Sequence, residues 1–145
     1  MNRTEMVQLC AFRVGSLLCG IPLEHVQEIT GHLPMTPVPL APAVVIGLAN
    51  LRGQVVTVLD LRQRLHLPAR AADESVCNLV VRGARGVISL AVDDVSDVVE
   101  VAMHEFESPP RTLNAQILRY VESVLKTDAE LLLTLDIETV TAVDV

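Results

Sequence analysis

Aromatic side chains are almost absent from this 145-residue chain: Phe12, Phe106 and Tyr120 are the whole set, 2% of the residues, and there is no Trp. That scarcity argues against platforms that stack nucleobases or sugars. Lysine is nearly missing as well, with Lys126 alone, and 11 basic against 18 acidic residues leave a formal charge of -7. A surplus of that sign disfavours nonspecific binding to nucleic acid or anionic membrane. The apolar runs fall far short of the roughly 18 residues a membrane span needs. The start, Met1-Asn2-Arg3-Thr4-Glu5, lacks the apolar stretch of a secretory signal. The three cysteines, Cys10, Cys19 and Cys77, are odd in number and unrelated in spacing. They read as buried reduced thiols, with one pair plus a leftover as the alternative, and the compartment expected is the cytosol.

The residues for catalysis are missing in the same way. His25, His32, His66 and His104 share no metal-ligand spacing, and no Cys-x-x-Cys occurs. None of Ser16, Ser75, Ser89, Ser96, Ser108 and Ser123 sits in a Gly-x-Ser-x-Gly setting. Cys19 precedes Gly20, but an apolar strand raises a thiol's pKa instead of activating it, so Cys19 reads as core. Gly83-Ala84-Arg85-Gly86 is a two-glycine turn, far from a phosphate-binding loop. Asp93, Asp94 and Asp97 alternate with Val92, Val95 and Val98, which marks them as the polar positions of a strand and turn, not a cation site. No reaction class, metal or cofactor is supported.

What the chain does have is aliphatic bulk. Half of it is hydrophobic, which is ample for a packed core and excludes intrinsic disorder. Its length suits one domain or two very small barrels. Short Val- and Leu-rich runs alternate with Gly, Pro and charge: Val7 to Val14, Leu17 to Ile21 and Val26 to Ile29. Pro34, Pro37, Pro39 and Pro42 then each remove a backbone donor, so that stretch reads as an extended surface connection. Ala43 to Leu48 reads as one helical turn, and Gln54 to Arg62 as the clearest strand of the first half. Residues 68–75 are small and polar and read as a linker. Strands follow at Val76 to Val81, Val87 to Asp93, Val95 to Val101 and Leu131 to Ile137. Residues 113–125 suit a helix, through Leu113, Ile117 and Val121, as well as they suit a strand. Strands at this spacing predict an all-β barrel or sandwich, and similar strand content on either side of 68–75 suggests two similar barrels.

Charge is uneven. No Lys or Arg lies between Arg85 and Arg111, where Asp93, Asp94, Asp97, Glu100, Glu105 and Glu107 stand, while Arg52, Arg62, Arg64 and Arg70 cluster before and within the linker. Such segregation suits either solvated strand edges or complementary faces for protein partners. In Asn50-Leu51-Arg52-Gly53 a cation sits at a turn, either solvated or placed to meet a partner's carboxylate through its guanidinium fork. Glu28, between Val26 and Ile29, reads as an outward-facing strand residue.

Several of these blocks together carry a resemblance. Val26-Gln27-Glu28-Ile29, the Pro-rich connection through Pro42, Gly47-Leu48-Ala49-Asn50-Leu51-Arg52-Gly53 and Val58-Leu59-Asp60-Leu61-Arg62 resemble the CheW family of bacterial chemotaxis coupling proteins. So do Ala91-Val92-Asp93-Asp94-Val95-Ser96-Asp97-Val98 and Leu133-Thr134-Leu135-Asp136, in the family's order and approximate spacing over nearly the whole chain. The resemblance implies two five-stranded SH3-like β-barrels around a shared hydrophobic core, all within a single domain over 1–145. Barrel one would span approximately 15–70, and barrel two approximately 76–145 with residues 7–14 joining it. It also implies a non-catalytic scaffold that links the cytoplasmic tip of chemoreceptors to a CheA-type histidine kinase. That scaffold would be cytoplasmic, recruited to membrane-bound receptor arrays, and monomeric when free. An adaptor of a chemosensory-like pathway controlling surface motility or development is the alternative within the family, and a small ligand-binding or enzymatic barrel the remote one outside it. Carried over by position, Val26, Glu28, Arg52 and Cys77 would face the receptor, and Gly47, Asn50, Leu51 and Gly53 the kinase. The chain departs from the family's pattern at Cys19, where an aromatic is common, and at Ser89 and Val121-Glu122, where a Gly is usual.

Overall fold

The computed structural model describes residues 5–71 and 74–143. Met1 to Thr4, and Ala72 and Asp73 within the expected linker, lie outside the described residues. In chain order the strands are β1 (Met6–Val14), β2 (Leu17–Pro22), β3 (Val26–Thr30), β4 (Met35–Thr36), β5 (Val45–Leu51), β6 (Gln54–Asp60), β7 (Cys77–Gly83), β8 (Gly86–Val92), β9 (Asp94–Ala102), β10 (Val121–Lys126) and β11 (Leu131–Leu135). Three one-turn helices punctuate them: α1 (Leu61–Arg64), α2 (Ala115–Leu118) and α3 (Ile137–Val140). Each begins at a short polar side chain that accepts a hydrogen bond from the helix's own backbone, Asp60 from Arg62, Asn114 from Gln116 and Asp136 from Glu138. Asp60 and Asp136 therefore end β6 and β11 in the same way.

Two sheets result, one ordered β10-β11-β2-β1-β9 and the other β3-β7-β8-β6-β5-β4. Both curl. β3 and β4 occupy opposite edges of the second sheet, yet Met35 follows Thr30 by only five residues. Five residues reach at most about 18 Å, while six strands laid flat would measure about 24 Å across. The first sheet curls alike: the chain leaves edge strand β9 at Ala102, and Glu107 then bridges to Val124 on the other edge.

The two sheets share a wiring pattern. In the first, the hairpin β1–β2 is flanked by β9 antiparallel to β1 and by β11 parallel to β2, and β10 pairs with β11. In the second, the hairpin β7–β8 is flanked by β3 antiparallel to β7 and by β6 parallel to β8, and β5 pairs with β6. The order along the chain differs. The second sheet runs unbroken from Val26 to Val92, and the first takes its hairpin from the N-terminal end and its other strands from beyond Asp94. The expected division at residues 68–75 is thus displaced. β7 and β8 pair with strands that precede that segment, and β2, expected in barrel one, lies with β1 in the sheet that β9, β10 and β11 complete.

Period-two burial builds three apolar clusters. Along β1, Leu9 and Ala11 point into the interior of the first sheet, while Cys10, Phe12 and Val14 point into a cluster between the sheets. On β6 to β8, Val56, Val58, Val80 and Ala91 fill the second sheet's interior, and Leu59, Leu79, Val81, Leu90 and Val92 face the shared cluster. Strands buried on both faces need unbroken apolar sequence, which is why these runs alternate so weakly. The shared cluster is the largest of the three and includes Cys19, whose thiol burial pushes up to about 12.

Local expectations fare unevenly. A turn does form after Pro42, where the Val45 N–H donates to the Pro42 carbonyl, but a strand follows from Val45 in place of a helical turn. The strand expected through Arg62 ends at Asp60, and the one expected through Ile137 ends at Leu135. Residues 113–125 are both things in succession, α2 and then β10. Cys10, Cys19 and Cys77 are all free.

Candidate functional site

Asn50-Leu51-Arg52-Gly53 forms the two-residue turn between β5 and β6, with Leu51 paired to Gln54. Both central residues take positive φ, 53° at Arg52 and 84° at Gly53, the twist that a tight hairpin of right-handed strands requires. Gly53 adopts it freely, and its N–H donates to Asn50 Oδ1 at 2.9 Å. Arg52 adopts it against its Cβ, and conformations of that kind persist where surrounding structure holds them. The holding group is Glu28 on β3. Arg52 Nε donates to Glu28 Oε1 at 3.1 Å and its Nη2 to Oε2 at 3.2 Å, a two-pronged contact between residues 24 apart in sequence. The carboxylate that Arg52 meets belongs to its own chain, an arrangement that neither reading of the turn foresaw. The hydrogen bond to Glu28 raises the Arg52 pKa further above its ordinary value. The Arg52 side chain nevertheless remains 79% exposed, and the guanidinium keeps N–H donors free beyond the two prongs.

Val26, at the other end of β3, is half-buried against the shared cluster. A register shift between Val26 and Glu28 lets β3 bend there. Cys77 opens β7, and its thiol donates weakly to the Thr30 carbonyl at 3.5 Å. Next to it Asn78 is fully buried, donating from Nδ2 to the Gly31 carbonyl and accepting from Ser89 Oγ. That bond gives the buried Ser89 hydroxyl a partner. Val95 on β9 packs with Cys77 against the shared cluster, and β9 approaches β7 there, so Cys77 marks the seam where the second sheet meets the edge of the first. Burial raises its pKa, and Asp94 adds to the effect. Ile29 on β3 and Val98 on β9 expose 47% and 46% of their surface.

Glu28, Arg52, Asn50 and Gly53 therefore come together at one exposed corner. Gly47 and Leu51 do not join them: both are buried, Leu51 in the interior of the second sheet. Gly47 is pressed against strand β4, and a Cβ there would stand 2.7 Å from the Thr36 carbonyl oxygen.

The sequence reading missed Asp93, which is no ordinary polar strand position. Its carboxylate accepts from Arg62, Arg70 and the Gly15 N–H. Burial pushes its pKa up, but those donors outweigh burial and hold it below the usual carboxylate value. The arginine cluster was the available signal: Arg62 and Arg70 are consumed internally and offer no basic face. Glu74 is also held low, first by the Ala71 N–H and then by Arg62, as is Glu130 by Arg13. These groups give up protons more readily folded than unfolded. Their stabilisation is complete above the unfolded carboxylate range and is lost as pH falls through their depressed folded values. The melting temperature is thus expected to hold from pH 7 to about 5 and to drop steadily below about pH 4. Glu130→Gln should flatten part of that slope, and a curve level down to pH 3 would contradict the assignment.

No group of three or more His, Cys, Asp or Glu side chains able to hold a metal occurs among the described residues. No helix among them is long and apolar enough to cross a membrane. Comparison with known proteins adds the following. The family described as CheW-like domain matches residues 8–144. The chain is 31% identical over 135 residues to a chemotaxis protein CheW of Rhizobium meliloti, spanning 92% of this chain and 86% of that protein. It is 29% identical over 137 residues to a chemotaxis protein CheW of Treponema pallidum, spanning 92% and 81%. The crystal structure of the scaffolding protein TtCheW from Thermoanaerobacter tengcongensis superposes with a TM-score of 0.82 at 24% identity, covering 91% of this chain and 90% of that one.

Proposed function

This chain belongs to the CheW-like family, and on that premise we propose that it is the chemotaxis adaptor that couples chemoreceptors to a CheA-type histidine kinase, working by binding alone. Two small barrels locked by one core make a rigid body with faces on different sheets, which suits holding two partners in fixed relation. The observation that carries the site assignment is the Glu28–Arg52 pair, a cation fixed in a strained turn and left largely exposed. A receptor helical hairpin offers an apolar stripe flanked by charge, and the exposed aliphatic edges of β3 and β9, rimmed by Glu28 and Arg52, complement it. Val26 and Cys77 would shape the floor of that surface. The kinase would meet the corner at Asn50 and Gly53, with Gly47 and Leu51 acting from within by setting the backbone there. Recruitment to receptor arrays at the membrane follows from binding the receptor tip.

The test mixes the chain with a CheA-type kinase and a receptor cytoplasmic fragment from the same genome, and reads co-sedimentation together with kinase autophosphorylation. The wild type is expected to co-sediment and to raise kinase activity. Arg52→Glu places two carboxylates together at the rim and is expected to weaken receptor binding about tenfold or more, with the unfolding midpoint little changed at so exposed a position. Exchanging both residues (Glu28→Arg with Arg52→Glu) restores the pair but inverts the surface, so coupling is expected to stay lost. Full coupling by Arg52→Glu would remove Arg52 from the site, and absence of binding to either partner would overturn the adaptor reading.

A further inference from the structure

Asp93 sits between β8 of the second sheet and β9 of the first, where the chain passes from one barrel to the other. Its two oxygens are saturated. Oδ1 accepts from Arg62 Nε at 2.9 Å and Arg70 Nη2 at 2.8 Å, and Oδ2 accepts from Arg62 Nη2 at 2.7 Å and the Gly15 N–H at 2.7 Å. Its own N–H donates to the Arg13 carbonyl at 2.9 Å. A carboxylate has about four acceptor positions, and here each meets a donor. The donors come from three separate places: Gly15 in the β1–β2 turn of the first sheet, Arg62 in α1, and Arg70 in the segment that joins α1 to β7 within the second. The side chains of Arg62 and Arg70 are 10% exposed and that of Asp93 is 18% exposed, so water competes little for these bonds.

Two residues further on, Val95 packs with Cys77 against the shared cluster, at the seam where β9 approaches β7. We infer that Asp93 is a positioning residue for the receptor-facing surface: it fixes the β9 edge against β3 and β7, so receptor affinity depends on a carboxylate outside that surface. This inference rests on the receptor-binding reading given above. The mechanism is geometric. Without the four-way clasp β9 is still paired to β1, but its start is no longer pinned to α1, and the spacing between Val98 on one side and Ile29 on the other becomes variable. A binding surface whose competent arrangement is only partly populated loses affinity in proportion.

Asp93→Asn tests this, because it keeps the shape and replaces one acceptor oxygen with a donor that must face the donors already there. Two readouts are needed. The first is affinity for the receptor cytoplasmic fragment, expected to fall at least tenfold while affinity for the CheA-type kinase stays within twofold. The second is the rate at which each thiol reacts with a disulfide reagent. Cys77, at the seam, is expected to react several times faster than in the wild type, while fully buried Cys10 and Cys19 stay protected and report that the fold is intact. If all three thiols react, the substitution has unfolded the protein, and Arg70→Gln, which removes a single donor, takes its place with the same expectations. Wild-type receptor affinity, or an unchanged Cys77 rate, in a folded variant would overturn the inference. A wild-type protein that fails to bind the receptor fragment would instead sink the reading on which the inference rests, and the Cys77 rate still decides whether Asp93 pins the seam.

Discussion

Phe12→Ala is expected to lower the melting temperature by about 10 °C, the largest effect of any single truncation in the molecule. Phe12 is the largest of the side chains that are fully enclosed, and it points from β1 into the cluster shared by both sheets. Truncating a buried Phe to Ala costs about 3–5 kcal/mol, through lost transfer free energy and the cavity left behind. For a chain of this size each kcal/mol is worth roughly 2–4 °C. Domains of this kind are stable by only about 5–15 kcal/mol in total, so the loss takes a large share. Because the cavity opens between the sheets, both should melt together in one earlier transition, followed by circular dichroism and by the Tyr120 signal near the first sheet. Separate transitions for the two sheets would show that each stands on its own small interior and that the shared cluster contributes little.

Gly47→Ala is the second. A methyl at this position would lie 2.7 Å from the Thr36 carbonyl oxygen, 3.2 Å from its carbon and 3.3 Å from Met35 Cβ. Two of those atoms are backbone, so no rotamer change relieves the clash and β4 must move away from β5. Overpacking of this kind costs about 1–3 kcal/mol, in a strand only two residues long that has little pairing to lose. Native-state hydrogen exchange should show lost protection around Ala49, which pairs with Met35, while the β7–β8 hairpin stays protected. Gly31→Ala is the control: a Cβ there meets nothing within 4 Å, and the midpoint should hardly change. An equal loss at both positions would contradict the packing argument.

How much of this was legible in the sequence depends on range. Strands show because β1, β6, β7 and β8 bury both faces and so carry apolar runs that nothing else explains. The residue types at the proposed site show too, since Glu28 and Arg52 each stand out in an apolar or turn setting. Their pairing does not, because it is made by β3 and the β5–β6 turn meeting in space. Burial of Leu51 is hidden for a related reason: within a turn motif, which face a residue presents depends on the register with β6. Asp93 was misread because alternation with valine looks the same whether the carboxylate meets water or two guanidinium groups. The internal likeness of the two barrels escaped a residue-by-residue search because their strands follow the same wiring from different starting points along the chain.

That offset start also governs how the molecule can be made. As the chain leaves the ribosome, β1 and β2 emerge first, but the strands that flank them, β9 and β11, are synthesised only after the whole of Val26–Val92 has followed. The second barrel has all its strands to hand by then, whereas the first hairpin must wait with both edges open. Loop closure over so long an intervening segment is slow by nature, and it falls to the last strands to complete the first barrel. Assembly is therefore inside-out, the middle of the chain settling before its two ends are joined. The acidic residues along β9 stand on an edge strand whose outer side stays open in the finished sheet, where charge keeps neighbouring chains from pairing with it.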